Sequence, residues 1–67
     1  MMNERHARAA LELAISKSGG ASNLAKTIGV SKGAISKWRV VPIARVLDVE
    51  QASGVSRYDL RPDYYPR

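Results

Sequence analysis

A chain of 67 residues with a net charge of +5 and no cysteine has room for one domain with a small core, which helices build most economically. The absence of cysteine excludes a disulfide framework and a thiolate metal site, so we expect one domain over residues 1–67 in a reducing cytoplasm. The apolar run near the N-terminus is interrupted by Glu12 and is too short for a signal peptide or a membrane span.

The first two predicted helices carry recognisable start and stop signals. Asn3 is a suitable N-cap for a helix over residues 3–18. Gly19 and Gly20 end that helix and allow a tight turn into a second helix over residues 21–28. The apolar side chains that share the inward face of the first helix are Ala7, Leu11, Ala14 and Ile15.

The stretch from residue 21 to residue 39 is typical of two short helices joined by a sharp turn. Gly29 lies between two apolar stripes, where it can take the left-handed backbone conformation that ends a helix. Ser31 is then the N-cap of the third helix, predicted over residues 31–39. Ala25 is small enough to let the two helices cross closely, as in a DNA-binding helix pair. The stripes consist of Leu24, Ala25 and Ile28 before the turn and of Ile35 and Trp38 after it.

The C-terminal part is predicted to be helical up to a short extended tail. Pro42 suits the first position of a fourth helix, which Gly54 ends. Ser56 followed by Asp59 resembles a capping arrangement for a last short turn, and Pro62 ends that turn. The residues expected to complete the core are Ile43, Val46, Leu47 and Val49, with Leu60 and Tyr64 lying against the domain.

The basic residues form a band that contains no acid. No Asp or Glu occurs between Leu13 and Leu47, whereas six Lys and Arg residues do. Outside that window, five basic and six acidic residues nearly cancel. Lysines on a solvated surface usually alternate with acids, so this basic band predicts contacts with phosphate groups. Its members are Lys17, Lys26, Lys32, Lys37, Arg39 and Arg45.

Four residues of the third helix are predicted to face DNA bases, because they lie opposite the inward-facing Ile35 and Trp38. A major groove about 12 Å wide admits one helix, and lysine donates to guanine O6 and N7 there. A glycine inside a helix costs roughly 1 kcal/mol relative to alanine. Gly33 is therefore either a neutral replacement that the helix tolerates or a point where the backbone approaches DNA closely. The predicted base-reading residues are Lys32, Gly33, Ser36 and Lys37.

A second set of residues is predicted to bind phosphate groups, which position a helix without specifying sequence. Ser22 and Asn23 combine polar side chains with the free backbone N–H groups of the second helix's first turn. Arg39 follows the third helix and is expected to reach the DNA backbone beyond it. Lys26 and Arg45 are not included, because basic residues at such positions are more often solvated than in contact with DNA. The predicted phosphate-binding residues are Ser22, Asn23, Ser31 and Arg39.

The sequence contains no residue pattern typical of a catalytic site or a metal site. Trp38, at helical spacing from Ile35, is predicted to be core rather than a base-stacking platform. His6 is predicted to stand alone on an exposed part of the first helix, without the partners that a metal site or a catalytic base needs. No GxSxG, P-loop or paired-carboxylate arrangement accompanies the serines. We therefore expect no enzyme, no metal and no cofactor.

At these residues the chain resembles the Cro-type repressors of temperate phages, in the branch grouped with YdaS-like antitoxins. The resemblance is carried by SGGASNLAKTIGVSKGAISKW, by VPIARVLDVEQASG and by the ending VSRYDLRPDYYP, which generic helix-turn-helix domains lack. It implies an all-α, compact, five-helix, lambda-repressor-like domain that binds pseudo-palindromic operators as a homodimer on DNA. It also implies that Lys32, Gly33 and Lys37 occupy the family's base-facing positions.

Two departures from the family pattern bear on these expectations. Family members commonly carry Gln at the start of the second helix, where it contacts phosphate, and here that position is Ala21. The contact is either lost or transferred to Ser22. Some Cro proteins end in a β-hairpin that makes the dimer, but residues 42–54 have helical periodicity, so we expect no hairpin.

The sequence favours a sequence-specific transcriptional repressor that binds double-stranded DNA through its third helix. The alternative is an antitoxin or protein-interaction module with a protein partner and secondary, autoregulatory DNA binding. RNA binding ranks last, because it usually needs exposed aromatic residues on a sheet or a loop. None of these hypotheses involves a membrane.

Overall fold

A computed structural model describes residues 4–66, and over this range the chain forms five α-helices and no strand. The predicted all-α class is confirmed. The predicted N-cap Asn3 lies outside the described residues. The helices are α1 (Glu4–Lys17), α2 (Ala21–Ile28), α3 (Lys32–Lys37), α4 (Val46–Ser53) and α5 (Arg57–Leu60).

The larger of two apolar clusters, the main core, lies where α1 packs against α4 and α5. Leu11 and Ala14 face inward from α1 as their helical spacing predicts, whereas Ile15 is only half-buried. Burying a valine or leucine side chain contributes roughly 1.5 to 3 kcal/mol, so this cluster is the chief stabilising feature of the fold. Its buried members are Ala10, Leu11, Ala14, Val41, Val46, Val49, Val55 and Leu60.

A smaller cluster joins α2 to α3. It consists of the buried residues Leu24, Ala25 and Ile35. Half-buried side chains contact both this small cluster and the main core, and thereby connect the two; they are Ile15, Ile28 and Trp38. The helix pair is therefore attached to the rest of the molecule through side chains that are partly in contact with water.

The third helix is shorter than predicted. It ends at Lys37 rather than Arg39, because Trp38 takes an extended backbone conformation with φ −73° and ψ 130°. The β-branched Val40 and Val41 precede Pro42, and both features disfavour helix. Val41 enters the main core from this extended segment.

The fourth helix also begins later than predicted. Pro42 is followed by a 3-10 turn, Ile43–Arg45, and α4 starts only at Val46. Gly54 ends α4 with φ 80°, as predicted for a left-handed helix stop. The prediction that Leu47 is core is wrong, since its side chain is 48% exposed while Val46 and Val49 supply the inward face.

The C-terminal tail is a turn and not an extended segment. The backbone N–H groups of Tyr64 and Tyr65 donate to the Arg61 carbonyl at 3.1 and 2.8 Å. This turn packs Tyr65 against the main core and leaves Tyr64 58% exposed, so the prediction that Tyr64 lies against the domain is wrong. Leu60 is fully buried as predicted.

An ion pair connects α4 to α5. The backbone N–H of Arg57 donates to Glu50 Oε2 at 2.8 Å, and its Nε donates to Glu50 Oε1 at 3.0 Å. These hydrogen bonds from Arg57 lower the pKa of Glu50 below its ordinary value. In the following turn, Arg61 pairs with Asp63 at 2.8 Å and lowers the pKa of that carboxyl in the same way.

Candidate nucleic-acid interface

The turn between α2 and α3 is closed at Gly29. Its backbone has φ 78° and ψ 33°, a conformation that side chains with a Cβ rarely adopt. The N–H groups of Gly29 and Val30 both donate to the Ala25 carbonyl, at 2.9 and 3.0 Å. The predicted helix stop is therefore confirmed, and it fixes where α3 begins.

Ser31 is the N-cap of α3, as predicted. Its Oγ accepts a hydrogen bond from the Ala34 N–H at 3.0 Å. This bond uses a lone pair and leaves the hydroxyl hydrogen available to donate, for example to a phosphate oxygen. Its predicted phosphate contact is therefore compatible with its capping role and stays a prediction.

The four predicted base-reading residues are all exposed on α3, with Gly33 and Lys37 opposite the buried Ile35 and with Lys32 and Ser36 at its flank. Ser36 Oγ donates to the Lys32 carbonyl at 3.0 Å, so its oxygen remains free to accept. The fold thus brings these side chains to one surface, and their contacts with bases stay a prediction. The exposed residues are Lys32, Gly33, Ser36 and Lys37.

Gly33 has no structural reason to be glycine within the described chain. A Cβ added at this position would meet only Ser31 Oγ, at 3.9 Å, which is an ordinary van der Waals distance. Gly33 also lies in a helix rather than in a left-handed turn. Alanine would therefore fit here, and packing within the described chain does not explain the glycine.

The start of α2 exposes Ser22 and Asn23, the other predicted phosphate contacts. No side chain caps this helix, so the backbone N–H groups of its first turn remain free to donate to an anion. Asn23 Nδ2 donates to the Gly19 carbonyl at 3.3 Å, which uses one of its two N–H bonds. Each side chain therefore keeps one donor hydrogen, the hydroxyl of Ser22 and the second N–H of Asn23.

Two of the six cations of the basic band have carboxylate partners in the fold, although the band itself contains no acid. Arg39 Nε lies 2.8 Å from Glu4 Oε1, and Arg45 Nη1 lies 3.7 Å from Asp48 Oδ2. Both carboxylates come from outside the band. The other four members have no ion pair within residues 4–66; they are Lys17, Lys26, Lys32 and Lys37.

Arg8 is a residue of this region that sequence reasoning missed. Its Nη1 donates to the Trp38 carbonyl at 2.7 Å and to the Arg39 carbonyl at 3.2 Å. Both carbonyls follow the last residue of α3, so Arg8 fastens to α1 the segment by which the chain leaves this helix. Glu4 and Arg8 are four residues apart on one face of α1, but no sequence pattern indicates that this face meets α3.

The environment of Trp38 agrees with its prediction, whereas that of His6 does not. Trp38 is half-buried and contacts both apolar clusters, as predicted for a core residue. His6, predicted to stand alone, lies with its Nε2 3.0 Å from Asp59 Oδ1 on α5, so that prediction is wrong. Within residues 4–66 no three His, Cys, Asp or Glu side chains converge as a metal site would need.

The geometry defines a small helical protein whose α2–turn–α3 unit presents a lysine-bearing face. The chain belongs to the family described as bacterial toxin YdaS, whose model matches residues 11–67. This membership indicates a toxin-like, antitoxin-like or regulatory protein. Comparison with curated proteins and with solved structures finds no significant match. None of the helices within residues 4–66 has the length and apolar character needed to span a bilayer.

Proposed function

We propose that the chain is a sequence-specific transcriptional repressor that inserts α3 into the major groove of double-stranded DNA. The observation that carries this proposal is the exposed face of α3, where Lys32 and Lys37 have no ion pair within residues 4–66. Unpaired lysines are free to bind guanine or phosphate without first giving up a carboxylate. Gly33 leaves the middle of this face open.

The spacing along α3 suits base contacts. Lys32 and Lys37 are separated by about 7.5 Å along the helix axis, at a rise of about 1.5 Å per residue. That distance corresponds to about two base-pair steps of about 3.4 Å each. Five residues also turn the helix so that the two side chains diverge by about 140° around its axis. The two lysines are therefore proposed to reach different base pairs from different sides of α3, while Ser22 at the start of α2 donates to a flanking phosphate.

The proposal includes binding as a homodimer to a pseudo-palindromic operator. Two α3 helices on one face of DNA lie about 34 Å apart, one helical turn. The described chain measures 30 × 20 × 19 Å, so two copies can occupy neighbouring half-sites at this spacing.

Selection of binding sites from random duplex DNA is the experiment that tests this function. We expect two inverted half-sites with a fixed centre-to-centre spacing near one helical turn, and guanine at one position or more of each half-site. Recovery of unrelated sequences without any common half-site would contradict sequence-specific binding.

A second candidate, a protein-interaction module of a toxin or antitoxin kind, is favoured by the family description and by an apolar surface. Leu13 is exposed beside a groove of about 230 Å³ between α1 and α5, with Ala9 and Val55 in its lining. Exposed apolar patches of this kind are common at protein interfaces. Stable co-purification with the product of a neighbouring gene, combined with failure of the DNA selection, would favour this candidate.

A further inference from the structure

Glu4 and Arg39 form an ion pair between the first residue of α1 and the segment that follows α3. Arg39 donates from Nε to Glu4 Oε1 at 2.8 Å and from Nη2 to Glu4 Oε2 at 3.5 Å. This two-point contact occupies one edge of the guanidinium, and arginine binds phosphate through the same kind of edge. A DNA phosphate and Glu4 would therefore compete for Arg39.

Holding the local structure together is not the main role of this pair. The two side chains are 80% and 53% exposed, and exposed ion pairs add little to stability because water and salt screen them. The backbone at Arg39 is already held by Arg8, which donates to the carbonyls of Trp38 and Arg39. The principal effect of Glu4 is thus to neutralise the charge of Arg39.

Arg39 differs in this respect from the other cations near α3. Lys32 and Lys37 have no carboxylate partner within residues 4–66. Arg45 has a looser pair at 3.7 Å with Asp48, three residues further along the chain. Arg39 is instead neutralised by a residue 35 positions away, so folding itself brings the competing carboxylate to the edge of the proposed interface.

We propose that Glu4 determines specificity by restraining Arg39, and so lowers the affinity of the chain for DNA of any sequence. This inference rests on the proposed function. Phosphate contacts add affinity without sequence information, and a carboxylate that competes with phosphate removes that part of the affinity selectively. Binding then depends more strongly on the base contacts of α3.

The test compares the wild-type chain with Glu4→Gln, Arg39→Ala, the double variant and Glu12→Gln. Glutamine keeps the size of glutamate and removes its charge. Glu12 is an exposed glutamate of the same helix without an ion pair within residues 4–66, so its variant is the control for net charge. Binding to a mixed-sequence duplex of roughly 20 base pairs, two helical turns, is measured by fluorescence anisotropy over a series of salt concentrations.

We expect Glu4→Gln to raise the affinity roughly twofold to fivefold at low salt, as the weakness of an exposed ion pair allows, and to steepen the plot of log K against log salt by about 0.9, as one added phosphate contact does. Glu12 lines a groove with Lys32 and Ser36 but forms no ion pair with Arg39, so Glu12→Gln should raise the affinity less than Glu4→Gln does. In the Arg39→Ala background, Glu4→Gln should have no further effect, since the group that it releases is absent.

Equal gains from Glu4→Gln and Glu12→Gln overturn the inference, and so does a gain that survives Arg39→Ala, because either result reports net charge alone. A wild-type chain that binds while Glu4→Gln leaves affinity and salt slope unchanged overturns only the inference. If neither the wild-type chain nor any variant binds duplex DNA at low salt, the proposed function and the inference both fail.

Circular dichroism checks that each variant folds, and the thermal midpoint of Glu4→Gln should differ from that of the wild-type chain by less than about 4 °C.

Discussion

The guanidinium of Arg8 donates a hydrogen bond of 2.7 Å to the backbone carbonyl of Trp38, thirty residues further along the chain. Trp38 is the C-cap residue that follows α3, and its carbonyl lies outside the helix hydrogen-bonding pattern, so it needs a partner from elsewhere. Arg8 supplies one from α1, at the point where the chain leaves α3. The orientation of α3 therefore depends on a residue that lies in none of the predicted DNA contacts.

Arg8→Ala should destabilise the fold by about 1.5 to 3 kcal/mol, the usual contribution of a hydrogen bond to a charged group. It should also weaken binding to every duplex, because the end of α3 is released. Urea unfolding followed by circular dichroism measures the first effect. Arg5→Ala is the matched control, an exposed arginine of the same helix without an ion pair within residues 4–66; equal losses in both variants would contradict the role of Arg8.

Lys37→Ala should lose about 1 to 3 kcal/mol of binding free energy on the selected operator and much less on random duplex, if Lys37 contacts a base edge. Isothermal titration on the two duplexes measures the difference. Lys17→Ala, at the end of α1, removes the same charge away from α3 and serves as the control. Similar losses on operator and random DNA would assign Lys37 to phosphate instead.

Gly33→Ala separates folding from binding. Because an added Cβ has room, alanine should leave the fold unchanged or stabilise it by up to about 1 kcal/mol through its higher helix propensity. Operator affinity should fall at the same time, since the methyl group lies where the backbone is proposed to approach DNA. Thermal unfolding and anisotropy on one preparation test both effects. Unchanged operator affinity would show that Gly33 is a neutral replacement that the helix tolerates.

The Glu50–Arg57 pair predicts a dependence of stability on pH. Because the pKa of Glu50 is lowered in the folded chain, its contribution is present above the ordinary pKa of glutamate and is lost as the pH falls through the lowered value. Glu50→Gln should cost about 1 kcal/mol at neutral pH and converge with the wild-type chain in acid. Urea unfolding between about pH 7 and pH 3 compares the two, and a constant difference would contradict this linkage.

Local chemistry explains which parts of the fold could be predicted from the sequence. The bounds of α2, the left-handed Gly29 and the capping Ser31 depend on residues within one helical turn of each other, and all were predicted correctly. The exposure of Leu47 was not, because it depends on which of two neighbouring side chains is buried in the core. Adjacent apolar residues such as Val46 and Leu47 leave that choice open in the sequence. The end of α3 was also misplaced, although the β-branched residues before Pro42 already disfavour helix there.

The electrostatics of the candidate interface were harder to predict than its shape. The sequence indicates six cations without a nearby acid, yet Glu4 reaches Arg39 across 35 residues. Such a pair arises only when α1 packs beside the end of α3, and helical spacing within one segment carries no information about that contact. The same holds for His6 and Asp59, which are 53 residues apart.

The division of the interior into a main core and a small cluster has a consequence for hydrogen exchange. The two clusters meet through half-buried residues such as Ile15 and Ile28, so α2 and α3 can separate from the rest while the main core stays packed. We therefore expect the amide hydrogens of α2 and α3 to exchange through a local opening that requires less free energy than global unfolding, and those on the buried face of α1 to exchange more slowly. The part of the molecule proposed to bind DNA is thus expected to open before the main core does.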